Sequence, residues 1–455
     1  MAPAAMVYLD ANATEPLRPE ARVAMLSAFD GVGNPSSIHR FGRSVRRVVE
    51  DARESLAARF GGRPGDLVFV SGGTEADALA VHALGRDRRL IIGATEHDAI
   101  RSAASGASVL PVDRDGIADL DALRVMLGAG GPALVCLMLA NNETGTIQPI
   151  REAAMLCREY GALLHVDAVQ AGGRLGGDGF PIHPREAVAP TTTTTLPLRE
   201  GAGGRGRHPQ DRAATTPPPT PPSRGGESFG LAMPLPIQPL KHGRTVPPPT
   251  GTADPGSLPS GVSLNTLLCH SLALSSHKIG GPPGVGALLL TPELSAIPAL
   301  ITGGGQERGR RGGTLAAPLI AGFAAAAAAC GNAAGLAPLR DAAEQAAIAA
   351  GAIVCGGGGP RLPNTTCLAL PGVRADAQVI ALDLEGIAIS AGAACSSGKV
   401  AASHVLTAMG MGDLAAQAIR VSLPWNATAA DIEAFIAAYQ RMADRLRPTM
   451  APRAA

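Results

Sequence analysis

Residues 274–286 read LSSHKIGGPPGVG. An apolar run at 271–274 leads into two hydroxyls, an imidazole and an amine, and a glycine-proline loop follows. Open α/β folds build their sites at the carboxyl ends of parallel strands. The stretch therefore sets phosphate or carboxylate ligands, Ser275 and His277, beside Lys278, an amine able to form a Schiff base. A lone lysine at a strand end is ordinarily just solvated, so the reading depends on what the other strands supply.

Outward from this stretch, short apolar runs at 66–70, 89–94, 133–140, 162–169 and 285–290 alternate with helical patterns such as 44–60. That alternation implies an α/β fold with a largely parallel sheet wrapped by helices. The apolar run 315–330 is mostly alanine, with too little bulk for a membrane span, and reads as a buried helix. Beyond it come a strand at 365–370, a helix at 375–386, a strand at 387–390 and a last helix at 429–445, the pattern of a smaller α+β domain.

The chain has 455 residues, 46% of them hydrophobic and 17% charged, enough for a large core divided over two or three domains. A net charge of +1 without a basic run gives no electrostatic case for nucleic acid or an anionic membrane, which leaves a small molecule as the expected partner. The seven cysteines are odd in number, scattered and free of C-x-x-C pairs. They argue for a reducing cytoplasm and against a disulfide frame or a metal site. The first ten residues, MAPAAMVYLD, lack the basic and apolar regions of a signal peptide. From 176 to 266 the chain carries TTTTT, PPPTPP and VPPPTGTADPG, and close to half of its 38 prolines lie there. Such a segment buries too little apolar surface to offset its ordering entropy and reads as an unstructured insertion.

Polar groups recur at the other strand ends. After 66–70 comes SGGTEADA, where the backbone of Gly73 and Thr74 at a helix start would cradle a phosphate, although the same pattern is often an ordinary capped turn. The run 162–169 delivers Asp167, with Gln170 close behind; in a cofactor site this carboxylate would pair with a protonated ring nitrogen, and elsewhere it would cap a turn. TEHDAI (95–100) adds His97 and ANNETG (140–145) adds Asn142.

These motifs, with YLDANATEPL, GNPSSIHRFG (33–42), GGGQERGRRGGT (303–314), SAGAACSSGK (390–399) and AIRVSL (418–423), resemble the cysteine desulfurases of the class-V aminotransferase group, pyridoxal 5'-phosphate (PLP) enzymes of fold type I. The likeness covers nearly the whole chain outside the insertion. It implies a large PLP-binding domain over 15–330 with a mostly parallel seven-stranded sheet, a small C-terminal domain over 331–455, and a segment 1–14 packing with the latter. By the same resemblance Lys278 carries the cofactor, and Gly73, Thr74, Ser275 and His277 hold its phosphate. Thr314 reaches the phosphate of a partner subunit in a homodimer. His97 stacks on the ring and acts in catalysis, Asp167 pairs with the ring nitrogen, and Asn142 and Gln170 address its substituents. Arg420 and Asn12 bind the L-cysteine substrate. Cys395 takes its sulfur as a persulfide destined for a sulfur-acceptor or iron-sulfur scaffold protein, and alanine is released.

Residue chemistry favours Cys395 independently, because it alone of the seven lies in a polar, small-residue loop, with Lys399 and His404 nearby in sequence. The chain departs from the family in RRGGT, which has a glycine where the family commonly has serine, at Pro424 and, above all, in the insertion between Gln170 and Ser275. Two alternatives stay open: a related class-V PLP enzyme such as a selenocysteine lyase or transaminase, and an inactive homologue disrupted by the insertion.

Overall fold

The computed structural model describes residues 6–175, 262–392 and 402–446. Its strands are β1 (Val7–Tyr8), β2 (Leu67–Val70), β3 (Arg89–Gly93), β4 (Ser108–Leu110), β5 (Ala133–Cys136), β6 (Leu163–Asp167), β7 (Ser271–Ser275), β8 (Gly286–Leu290), β9 (Ile353–Val354), β10 (Thr365–Ala369), β11 (Ile387–Ala388), β12 (Ser390–Ala391) and β13 (Ala418–Ser422). The helices are α1 (Pro19–Phe29), α2 (Arg40–Arg59), α3 (Gly73–Leu84), α4 (Asp98–Ala103), α5 (Leu120–Gly128), α6 (Ile150–Glu159), α7 (Leu264–Leu267), α8 (Ala317–Ala329), α9 (Ala337–Ala349), α10 (Ala375–Asp383), α11 (His404–Ala408) and α12 (Ala429–Leu446).

Seven strands form one sheet in the order β2-β8-β7-β6-β5-β3-β4, and only β8 runs antiparallel to its neighbours. The central strands β5, β7 and β8 are buried at every position, which is why they read as continuous apolar runs instead of alternating ones. Helices α2 and α8 cover one face, where Val49, Leu56, Phe60, Ile320 and Phe323 join the core. Helix α3 covers the other through Ala76, Leu79 and Ala80. The alanine-rich run is thus a core helix packed on α1 and α2, and no single helix among the described residues is long and apolar enough to cross a membrane.

A second, four-stranded sheet, β12-β13-β10-β9, is antiparallel and packs on α9, α10 and α12 through Leu368, Ile419, Val421, Phe435 and Tyr439. The N-terminal segment belongs to this region by pairing: β1 runs parallel to β11, and Asp10 bridges Ser422.

Three expectations need correction. The run 133–140 leaves its ladder with β3 after Cys136, because the buried Glu96 carboxylate takes the Met138 N–H at 2.7 Å in place of a strand carbonyl. The strand at 387–390 is two short strands, since Ile387–Ala388 pairs with β1 whereas Ser390–Ala391 pairs with β13. The insertion, expected to end at 266, gives way to folded chain by Val262: Ser263 caps α7 by accepting from Thr266 N at 3.1 Å, and Val262, Leu264 and Leu267 enter the main core. Residues 176–261 lie outside the described residues, and the expectation for that stretch rests on composition alone.

Candidate active site

Lys278 closes a short 3-10 turn, Ser276–Lys278, directly after β7. Its Nζ donates to the carbonyls of Asn12 at 2.6 Å and Ala13 at 2.9 Å. The amine faces a cavity of about 260 Å³ at the carboxyl edge of the sheet, lined also by Gly73, Thr74, His97, Asn142, Asp167 and Arg420. Asn12, Gln170, Ser275 and His277 complete the set of expected residues there, with Asp77, Met138, Ala140 and Val169 as further lining. Positions far apart in sequence meet because parallel strands β2, β6 and β7 all end on this side.

The strand-to-helix turn at Gly72–Gly73 comes close to its surroundings. A Cβ on Gly73 would lie 2.6 Å from Val169 Cγ2, so only glycine lets the first turn of α3 lie this close to β6's end. The positive end of this twelve-residue helix thereby borders the cavity beside Ser275. His277 accepts from or donates to Thr14 Oγ1 at 3.2 Å, and burial followed by the neighbouring Lys278 and Arg174 charges lowers its pKa to about 4. It is neutral at pH 7.

Asp167 ends β6 and accepts from Val169 N at 2.8 Å. Burial, reinforced by Asp77, raises its pKa to about 7. Behind it, Asp77 Oδ1 lies 3.1 Å from His165 Nε2, and His165 Nδ1 lies 2.8 Å from Ser271 Oγ. Burial pushes Asp77 up to about 8 and His165 down to about 4. Both shifts favour the uncharged forms of Asp77 and His165.

Asn12 and Gln170 tie the floor together. Asn12 Nδ2 donates to Asn142 O and to Thr365 Oγ1, both at 3.0 Å, and Gln170 Nε2 donates to Asn12 O at 3.0 Å. Arg174 grips Gln170 O at 2.8 Å and Glu15 Oε2 at 3.0 Å. His97 caps α4, its Nδ1 accepting from Ala99 N at 3.1 Å. Arg420, on β13, donates through Nη2 to Asp10 Oδ1 at 2.6 Å and through Nη1 to Asn142 O at 3.2 Å.

One expected residue that the structure describes is not in this group. Thr314 is exposed and does not line the cavity; its loop is held by Glu307, which accepts a two-pronged bond from Arg53, and by Arg311, which pairs with Glu75 at 2.9 Å. Cys395 and Lys399 lie outside the described residues, between Gly392 and Ala402. His404 begins α11, its Nε2 3.0 Å from Glu96 O. The sequence reading assigned nothing to Asp10 or Asp77. Asp77 carried a usable signal, since it falls one helical turn after Thr74 and so shares its face.

The cavity residues fit pyridoxal phosphate on their own chemistry. A carboxyl whose pKa burial raises to about 7 is the complement of a protonated ring nitrogen, and a reactive amine and a helix start face the same space. Fold and site define a PLP-dependent enzyme of fold type I. A family model described as Aminotransferase class-V matches residues 7–177 and 260–435. The IscS-like cysteine desulfurase of Mycobacterium tuberculosis is 33% identical over 94% of each chain. The cysteine desulfurase of Cereibacter sphaeroides is 35% identical over 97% of this chain and 96% of its own. The solved NifS-like protein from Rickettsia africae ESF-5 superposes with a TM-score of 0.71 at 28% identity, covering 96% of this chain and 99% of that one. The chain belongs to the class-V aminotransferase family, in its cysteine desulfurase group.

Proposed function

We propose that this chain removes sulfur from L-cysteine, yielding L-alanine and a persulfide on Cys395 that is passed to a sulfur-acceptor or iron-sulfur scaffold protein. It is a PLP-dependent cysteine desulfurase. The observation that carries the reading is the convergence of the Lys278 amine, the Asp167 carboxyl, the start of α3 and the Arg420 guanidinium on one cavity.

When bound, the cofactor supplies a carbonyl that condenses with amines and a ring that draws electrons from the substrate α-carbon. Ser275, His277, Gly73 and Thr74 would hold its phosphate, the Asp167 carboxylate would favour a proton on its ring nitrogen, and His97 would lie against its ring. The Lys278 amine would hold the cofactor and would carry the proton at the substrate α-carbon. Arg420 fixes the substrate carboxylate. The Cys395 thiolate then attacks that sulfur; a new S–S bond forms, the C–S bond breaks, and its electron pair stays with the carbon skeleton, which is protonated and leaves as alanine. The six other cysteines are buried, and burial pushes Cys157 and Cys269 up to about 12, which leaves them poor nucleophiles.

The active unit is a cytoplasmic homodimer. Thr314, outside its own cavity, serves the partner's phosphate site, and a run of exposed apolar side chains that includes Phe29, Ile38 and Phe41 supplies interface area. The test of the reading is alanine formation. Purified protein with PLP should convert L-cysteine to alanine in step with sulfur mobilised, and Lys278→Ala should abolish it; L-cysteine that yields no alanine ends the reading.

A further inference from the structure

The fork that grips the substrate is itself held by a carboxylate outside the cavity. Arg420 is 3% exposed at its side chain, and its one carboxylate partner among the described residues is Asp10, through Nη2 alone. Asn142 O takes Nη1, while Nε, buried, has no hydrogen-bond partner among the described residues. A guanidinium carries five donors, so Nε–H and the second protons of both Nη groups remain for an incoming carboxylate.

Asp10 has little freedom to withdraw. Its neighbour Ala11 donates to Ser422 O at 3.0 Å, Ser422 N donates to Leu9 O at 2.8 Å, and Asn12 N donates to Ser422 Oγ at 3.0 Å. The Asp10 carbonyl accepts from the Tyr8 hydroxyl at 3.0 Å. The segment is thus laced to β13, the strand that bears Arg420 two residues earlier. Arg420 lines the cavity and Asp10 does not. A carboxylate that stood in for substrate would sit inside the cavity and straddle two nitrogens; Asp10 does not line the cavity and engages one.

We propose that Asp10 is the positioning residue of the substrate fork, holding the Arg420 guanidinium by one corner so that Nε and the remaining protons meet the α-carboxylate of the amino-acid substrate. The inference rests on the desulfurase reading, in which Arg420 binds that carboxylate. Asp10 neither touches substrate nor moves a proton. It sets the angle at which the substrate is received, and it keeps a buried cation compensated between turnovers.

The experiment compares Asp10→Ala and Asp10→Asn with the wild type as PLP-loaded enzymes. Steady-state kinetics with L-cysteine should show KM raised about 10- to 100-fold in Asp10→Ala, the span of one charge-assisted hydrogen bond, with kcat within about threefold. Asp10→Asn keeps an acceptor oxygen in the same place and should recover part of the loss. Titration of the cofactor absorbance with L-alanine should weaken by a similar factor, a readout a purely structural role would not move separately from kcat. A KM that falls in both variants would make Asp10 a competitor for the fork and overturn the proposal. So would a loss confined to kcat, or no change. Should Asp10→Ala fail to fold, Asp10→Asn, which keeps every backbone bond of the segment, carries the test alone. Wild-type protein that forms no alanine overturns the desulfurase reading instead, and the L-alanine titration still reads the brace.

Discussion

Asp77 shows how one residue ties the site to the stability of the whole protein. Its carboxyl is buried, burial raises its pKa to about 8 against an ordinary 3.8, and its Oδ1 lies 3.1 Å from His165 Nε2. An acid whose folded pKa is raised stabilises the fold below its unfolded pKa, and the contribution is lost as pH rises through the folded value. The cofactor-free protein should therefore lose stability from about pH 4 to about pH 8 on account of Asp77. Asp77→Asn keeps a donor to His165 but no proton to lose. Its melting temperature should fall less than that of the wild type between pH 5 and pH 8, with a difference on the order of several degrees. Equal slopes would mean that Asp77 is ionised in the folded protein. Asp10 and Asp77 also show where residue-level reading stops. Their partners lie 410 and 88 positions away, and no local pattern announces a contact that only the completed fold creates. Lys278, Asp167 and Thr74 were legible because each ends a strand or opens a helix inside a motif.

At the scale of elements, the start of α3 is the tightest junction of the site. Gly73 abuts Val169, and Gly286 on β8 abuts the backbone of Gly72, so strand ends and helix start leave no room for a side chain. Gly73→Val would force α3 away from β6. The substitution should lower cofactor occupancy after desalting by at least about tenfold, because a displacement of ~1 Å at a positioned group costs on the order of that or more, while the far-ultraviolet circular dichroism stays that of the wild type. Full occupancy in that variant would show that this turn does not carry the phosphate. The central strands were readable as apolar runs because both faces are buried. β4 was not, since it is a three-residue edge strand with two exposed positions. The end of the insertion was misplaced for a different reason. Its Ser263-to-Thr266 capping pair is a folding signal, but it sits at the close of a proline-rich stretch whose composition dominated the reading.

At the scale of the whole molecule, the proposed dimer has a candidate interface in exposed apolar side chains. Ile38 is 85% exposed and Phe41 63%, and Phe29 at the end of α1 and Val32 between α1 and α2 are exposed as well. Ile38→Asp should raise the dimer dissociation constant at least about tenfold and lower activity with it at low protein concentration, as read by sedimentation and alanine formation. A dimer that persists unchanged would place the interface elsewhere. Above residue and element stands the transfer of sulfur from L-cysteine to a single thiol. The direct measurement is mass spectrometry of the protein after incubation with L-cysteine, mapping the added sulfur to a peptide. One extra sulfur is expected on the Cys395 peptide of the wild type and none anywhere in Lys278→Ala. Sulfur on Cys355 or Cys367 with Cys395 unmodified, or sulfur on Cys395 in the Lys278→Ala protein, would contradict that expectation.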